Sequence, residues 1–190
     1  MAIKKVAVLG AGVMGQGIAA HLANAGIDSL LYDIPPKEGA DPRAVAKAGI
    51  TNLPKLKPAA LYRASDVARI TPCEYEADKG LLAECDVIIE VVAEILPIKK
   101  KVFAWVAANR KAGSIVSSNT SGIPIAAMTD GFTDELKQHF LVTHFFNPVR
   151  YMRLLELVAG PDTLPSVVST WHTFGEEVLG KGIVYGKDTP

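Results

Sequence analysis

The chain has 190 residues, 49% hydrophobic and 21% charged, which suits one ordinary domain with a sizeable core and argues against disorder. Lys and Arg total 20 and Asp and Glu total 20, so the formal charge is zero and no electrostatic excess calls for nucleic acid or an anionic membrane as partner. Every apolar stretch is short and broken by Gly, Pro or charge, so no membrane span fits, and the first residues read as a strand rather than a secretory signal.

Residues 3–9 form a β-rich run ending at Gly10. Residues 14–25 have helical composition, with Gly26 as a C-cap. A second short apolar run over 29–32 ends at Asp33. Strand, glycine-rich turn, helix and strand in that order make the crossover unit that a parallel sheet needs. Residues 34–66 carry Pro35, Pro36, Pro42, Pro54 and Pro58 and read as a projecting loop with a helical patch over 42–49. A short strand is predicted over 67–71 and a helix over 75–83. Regular alternation then returns, with strands over 86–92 and 114–117 separated by a helix over 97–110. A short helix over 124–128 follows, then strands over 140–145 and 154–158. A helix over 165–179, closed by Gly180, and a last strand over 181–184 complete the chain. This alternation defines an α/β fold with a mostly parallel, doubly wound sheet and helices on both faces. The two cysteines, Cys73 and Cys85, have no Cys or His at metal-ligand spacing. We expect reduced cytoplasmic thiols, no metal and no disulfide framework.

Gly10-Ala11-Gly12-Val13-Met14-Gly15 matches G-x-G-x-x-G between a predicted strand and a predicted helix, the context that gives this motif its meaning. Gly10 permits the tight turn, Gly12 lets the backbone approach a pyrophosphate, and Gly15 lets the helix pack close to the strand. The free N–H groups of the helix then face the phosphates. Asp33, at the end of the second strand, can accept hydrogen bonds from a ribose hydroxyl. It would repel the extra phosphate of NADP, so NAD is favoured; FAD, which uses the same fingerprint, is the minor competitor.

The residues 10–19, Gly-Ala-Gly-Val-Met-Gly-Gln-Gly-Ile-Ala, resemble the opening of the 3-hydroxyacyl-CoA dehydrogenases. So do Ile89-Glu90-Val91-Val92-Ala93-Glu94, Ser118-Asn119-Thr120-Ser121 and His144-Phe145-Phe146-Asn147-Pro148. Lys187-Asp188-Thr189-Pro190 is similar to that family's junction between its NAD-binding domain and a helical C-terminal domain. The resemblance runs through nearly the whole chain and is weakest between Pro35 and Asp66. There it is closest to long bacterial forms in which an enoyl-CoA hydratase-like region follows the dehydrogenase. It implies a Rossmann-type fold over residues 1–190. It also implies oxidation of an (S)-3-hydroxyacyl-CoA to the 3-oxoacyl-CoA with NAD, a step of fatty-acid β-oxidation. We expect the sequence to be a fragment. In the family the absent helical domain supplies a further Asn, much of the acyl-CoA surface and a homodimer interface, so the fragment alone is expected to turn over poorly.

Oxidising a secondary alcohol needs a base for the hydroxyl proton while the carbinol carbon gives a hydride to the nicotinamide. A His fits, because its ordinary pKa of about 6.5 lies near working pH. His144 ends an apolar strand, where open α/β sheets place ligands. The resemblance makes His144 the base, Glu156 its carboxylate partner, and Ser121 and Asn147 the polar contacts near the substrate oxygen and the nicotinamide. Gly10, Gly12, Val13, Met14, Gly15, Asp33, Glu94 and Lys99 complete the NAD site, with Ser121 and Asn147 shared. Other readings stay open: an N-cap for Ser121, a turn residue for Asn147, a solvated edge-strand position for Glu156, a solvated helix face for Lys99 and a core position for Met14. Lys55 and Lys57 are candidate CoA-phosphate contacts or plain loop lysines, and Glu90 has no assigned role. His21, His139 and His172 read as helix or surface histidines. At the level of function, the competitors are a non-catalytic NAD-binding module and another NAD-linked hydroxyacid dehydrogenase with a Lys base.

Overall fold

The computed structural model describes residues 3–189; Met1, Ala2 and Pro190, which ends the junction-like motif, lie outside them. The strands are β1 (Lys5–Leu9), β2 (Asp28–Asp33), β3 (Ile70–Glu74), β4 (Val87–Glu90), β5 (Ile115–Ser118), β6 (Phe140–Phe145), β7 (Leu154–Ala159) and β8 (Gly182–Gly186). They form one sheet in the order β3-β2-β1-β4-β5-β6-β7-β8. Every pairing is parallel except that of β6 with β7. The main helices are α1 (Val13–Asn24), α2 (Ala44–Asn52), α3 (Leu96–Asn109), α4 (Ile125–Thr129), α5 (Asp134–Gln138) and α6 (Pro165–Thr173).

The apolar runs of the central strands follow from burial on both faces. Along β1, Val6 and Val8 pack with Ile18 and Leu22 of α1, while Ala7 and Leu9 point into the second core with Phe103 and Val106 of α3. Adjacent β1 and β4 send their crossovers to opposite sides of the sheet, which opens a crevice beyond their C-terminal ends. Gly10 and Glu90, at those ends, therefore border the place where such a sheet holds a ligand.

Several predicted elements shift. The predicted 67–71 strand starts at Ile70, because Ala64–Arg69 winds into a 3-10 helix. The predicted 75–83 helix is a shorter 3-10 helix, Lys79–Glu84. Carboxylates occupy the preceding turn: Glu74 accepts from the N–H groups of Glu76 and Ala77, and Asp78 accepts from the N–H of Glu74. Such local bonds offer the backbone an alternative to the helix. The predicted 165–179 helix ends at Thr173 and widens into a π turn over Phe174–Val178. A Cβ on Gly175 would lie 2.6 Å from Ile183, so this stretch is pressed against β8. Helix α5 was not predicted. Its five residues are too few to show a period, although Thr133 caps it by accepting from Leu136 N–H.

One histidine, read as a helix or surface residue, sits on a helix but faces the core. His21, on α1, is 7% exposed. Its Nε2 donates to the Leu179 carbonyl at 2.9 Å, and its Nδ1 has no partner among the described residues. Burial, with the Lys181 charge nearby, lowers its pKa to about 4. The unfolded chain therefore binds a proton near its ordinary 6.5 that the folded chain refuses until about 4. Stability is full above that upper value and falls as pH drops through this window. Urea unfolding at stepped pH is expected to show this decline, and His21→Gln to flatten it.

Candidate active site

The glycine turn joins β1 to α1. Gly10 has φ +117°, open to glycine alone, and a Cβ there would meet the Val91 carbonyl at 2.9 Å. At Gly15 a Cβ would lie 1.7 Å from the Gly10 carbonyl oxygen. Gly12 differs: its φ of −70° suits any residue, and a Cβ would find nothing within 4 Å. The turn is thus closed on its inner side by Gly10 and Gly15 and open at Gly12, a cradle that a Cβ would fill. Asp33, at the end of β2, accepts from Ala11 N–H at 2.6 Å and Ile34 N–H at 2.7 Å. The strand pairing Leu9↔Tyr32 brings that carboxylate beside the glycines although 22 residues separate Asp33 from Ala11. Val13 is 71% exposed at the mouth of the turn, whereas Met14 is partly buried against the core.

Across the crevice, β4 ends in Glu90, which is fully buried. Its carboxylate receives Lys99 Nζ at 2.8 and 2.9 Å, Val92 N–H at 2.8 Å and the Ser118 hydroxyl at 2.5 Å. Lys99 is 1% exposed, so the solvated-face reading fails. Residue 99 lies on the inner side of α3, and its ammonium is committed to Glu90 and, at 3.2 Å, to Glu94. The Lys99 ammonium thus lies behind Glu94, the exposed group at this end of the crevice. Burial opposes ionisation of Glu94. The Thr120 hydroxyl, the Lys99 ammonium and the Ser121 N–H outweigh it and hold the carboxyl below its usual range.

The β5–α4 loop carries Ser121. Its hydroxyl lies 3.2 Å from His144 Nε2, and it does not cap α4, which has no side-chain cap. His144 sits next to last in β6. After β6 the chain turns through Asn147-Pro148 and returns as the antiparallel β7, so His144 and Glu156 fall directly opposite each other. Their side chains meet at 2.8 Å, His144 Nδ1 to Glu156 Oε2. Strand β8 flanks β7, so Glu156 is on an interior strand rather than the edge expected by the alternative reading. Its side chain is 36% exposed and that of His144 19%, which keeps both reachable from the cleft. Asn119, to which the sequence assigned no part, accepts from Phe145 N–H at 2.8 Å and ties the loop to the end of β6. Asn147 is exposed, and its side chain makes no hydrogen bond among the described residues. Ser121, His144 and Glu156 open onto a cleft of about 290 Å³, walled also by Pro124, Val158 and the 186–189 segment. Lys55 and Lys57 are exposed on the projecting segment.

A glycine cradle at the β1 end, a carboxylate at the β2 end and strand order 3-2-1-4-5-6 within the sheet define a dinucleotide-binding α/β protein. A sequence model of the NAD-binding domain of 3-hydroxyacyl-CoA dehydrogenase matches residues 5–189, and the chain belongs to that family. A "Probable 3-hydroxyacyl-CoA dehydrogenase" of Bacillus subtilis is 50% identical over 99% of the chain, which spans 26% of that relative. A namesake in Deinococcus radiodurans is 42% identical over the whole chain, which spans 55% of it. The crystal structure of 3-hydroxybutyryl-CoA dehydrogenase from Escherichia coli K12 superposes with a TM-score of 0.84 at 29% identity, covering 100% of this chain and 39% of that one. The cofactor of the family domain is NAD, and the open cradle at Gly12 with Asp33 beside it fits that molecule.

Proposed function

We propose that the chain is the NAD-binding, proton-abstracting domain of an (S)-3-hydroxyacyl-CoA dehydrogenase acting in fatty-acid β-oxidation. The observation that carries this reading is the line Ser121, His144, Glu156, linked at 3.2 and 2.8 Å beside the C-terminal end of β6. Gly10, Gly12, Val13 and Gly15 would hold the pyrophosphate and Asp33 a ribose, with Met14 packing beneath. Glu94, Ser121 and Asn147 would hold the nicotinamide end, and Lys99 would act through Glu94. Bound there, NAD supplies the acceptor for the hydrogen and electron pair that leave the carbinol carbon. His144 Nε2 takes the hydroxyl proton; Glu156 fixes the ring with Nδ1 as donor and stabilises the imidazolium that forms. Ser121 orients the alcohol and supports charge on its oxygen.

The chain spans about a quarter of the Bacillus relative, so acyl-CoA as substrate and assembly as a homodimer through a helical C-terminal domain belong to this proposal as well. Two buried, unpaired thiols, Cys73 and Cys85, support a cytoplasmic setting. The test is NADH titration followed by acetoacetyl-CoA reduction by the natural full-length protein. NADH binding without any reduction rejects the catalytic reading. In the same assay Glu156→Gln is expected to lower kcat by about 10²–10⁴-fold with little change in NADH affinity, because an amide neither stabilises the imidazolium nor enforces the required tautomer.

A further inference from the structure

Glu90 and Lys99 form an ion pair inside the protein, at 0% and 1% exposure, in a row that otherwise carries Ile88 against Phe103 and Val106. A buried pair of this kind rarely outperforms well-packed apolar side chains as a source of stability. Its connections suggest a different use. Glu90 binds both Lys99 and the Ser118 hydroxyl, and Lys99 extends past it to Glu94 Oε2 at 3.2 Å. Glu94 Oε1 in turn accepts from the Thr120 hydroxyl and, at 3.1 Å, from Ser121 N–H. Ser121 faces His144. One unbroken set of polar contacts therefore runs from the interior of β4 to the imidazole.

We propose that Glu90 is a positioning residue: by anchoring Lys99 it fixes Glu94, and through Glu94 the backbone of Ser121, whose hydroxyl faces His144. Glu94 is 47% exposed, and among the described residues Lys99 is the one cation that holds its Oε2 while Thr120 and Ser121 hold Oε1. Lys99 without Glu90 would be a buried cation sharing only one partly solvated carboxylate. The role rests on the reading above, in which Glu94 and Ser121 serve the nicotinamide end of NAD and the glycine turn with Asp33 serves the adenosine diphosphate end.

The experiment uses the double variant Glu90→Gln/Lys99→Met of the natural full-length protein, which removes both charges and leaves none unpaired. NADH and ADP are titrated separately, and thermal midpoints are recorded. The expected result is NADH affinity weaker by about 10- to 100-fold with ADP affinity within about twofold of the parent, the loss expected when a charge-assisted hydrogen bond to the cofactor is misaligned. NADH affinity within about twofold of the parent overturns the proposal, as does an equal loss of NADH and ADP affinity, which marks the pair as support for the fold alone. Where the double variant does not fold, Ser118→Ala decides. It takes one donor from Glu90 without unpairing a charge, and a NADH-selective loss of about threefold or more supports the role while unchanged affinity overturns it. A parent protein that fails to bind NADH overturns the dinucleotide reading itself, and the positioning role with it.

Discussion

His144→Gln in the natural full-length protein is expected to lower turnover of 3-hydroxyacyl-CoA by about 10²–10⁴-fold while leaving NADH affinity within about twofold. Gln has similar reach and keeps a polar contact to Ser121, but its amide cannot take up a proton near neutral pH. The contact geometry explains the selectivity. His144 Nε2 is the ring atom turned toward Ser121 and the cleft, while Nδ1 is occupied by Glu156. Among the described residues, no group of the Gly10–Gly12 turn or of Asp33 hydrogen-bonds to it. Steady-state rates and a fluorescence titration on the same preparation separate the two effects. Undiminished turnover would move the base elsewhere in the protein and favour a lysine-based hydroxyacid dehydrogenase.

The second large effect concerns the glycine turn, where two alanines should behave in opposite ways. Gly12→Ala is expected to fold as the parent does, with a thermal midpoint unchanged within error, because its φ of −70° is ordinary and its Cβ meets no atom within 4 Å. The same methyl occupies the space open to the pyrophosphate, so NADH affinity should fall on the order of a hundredfold, about 2.7 kcal/mol. Gly15→Ala fails differently. Its Cβ falls 1.7 Å from the Gly10 carbonyl oxygen, a collision with backbone that only displacement of α1 or the turn relieves. Destabilisation of about 3 kcal/mol or more is expected, near the upper end for overpacked positions. Thermal melts beside NADH titrations of the two variants check both statements. Equal folding and unequal binding for Gly12→Ala is the outcome that ties this turn to the cofactor.

The glycines and Asp33 were legible in the sequence because each answers to a local rule: a turn, a close approach, a carboxylate at the end of the next strand. His144 and Glu156 were legible only through resemblance. Twelve positions apart, they meet because β7 runs back antiparallel to β6, and no periodicity within either strand announces that reversal. The burial of Lys99 was hidden for a related reason. Three consecutive lysines look like a solvated face, yet a helix turns by about 100° per residue and sends one of the three inward. Glu90 carried a signal, a charge within an apolar strand, but its partner lies in the next element and could not be named from the pattern. The 3-10 and π segments at 79–84 and 174–178 escaped because side-chain bonds to backbone and packing against Ile183 decided them, rather than helix propensity.

The imidazole held by Glu156 is proposed to stand on the same side of the sheet as the bound nicotinamide. A crystal structure of this protein with NAD is the decisive measurement. The pyrophosphate is expected over Gly12, a ribose hydroxyl on Asp33, and C4 of the nicotinamide ring separated from His144 Nε2 by the space of one carbinol, with contacts of roughly 3–3.5 Å to each. A nicotinamide ring pointing away from Ser121, or a wall of protein between it and His144, would rule out His144 as the base.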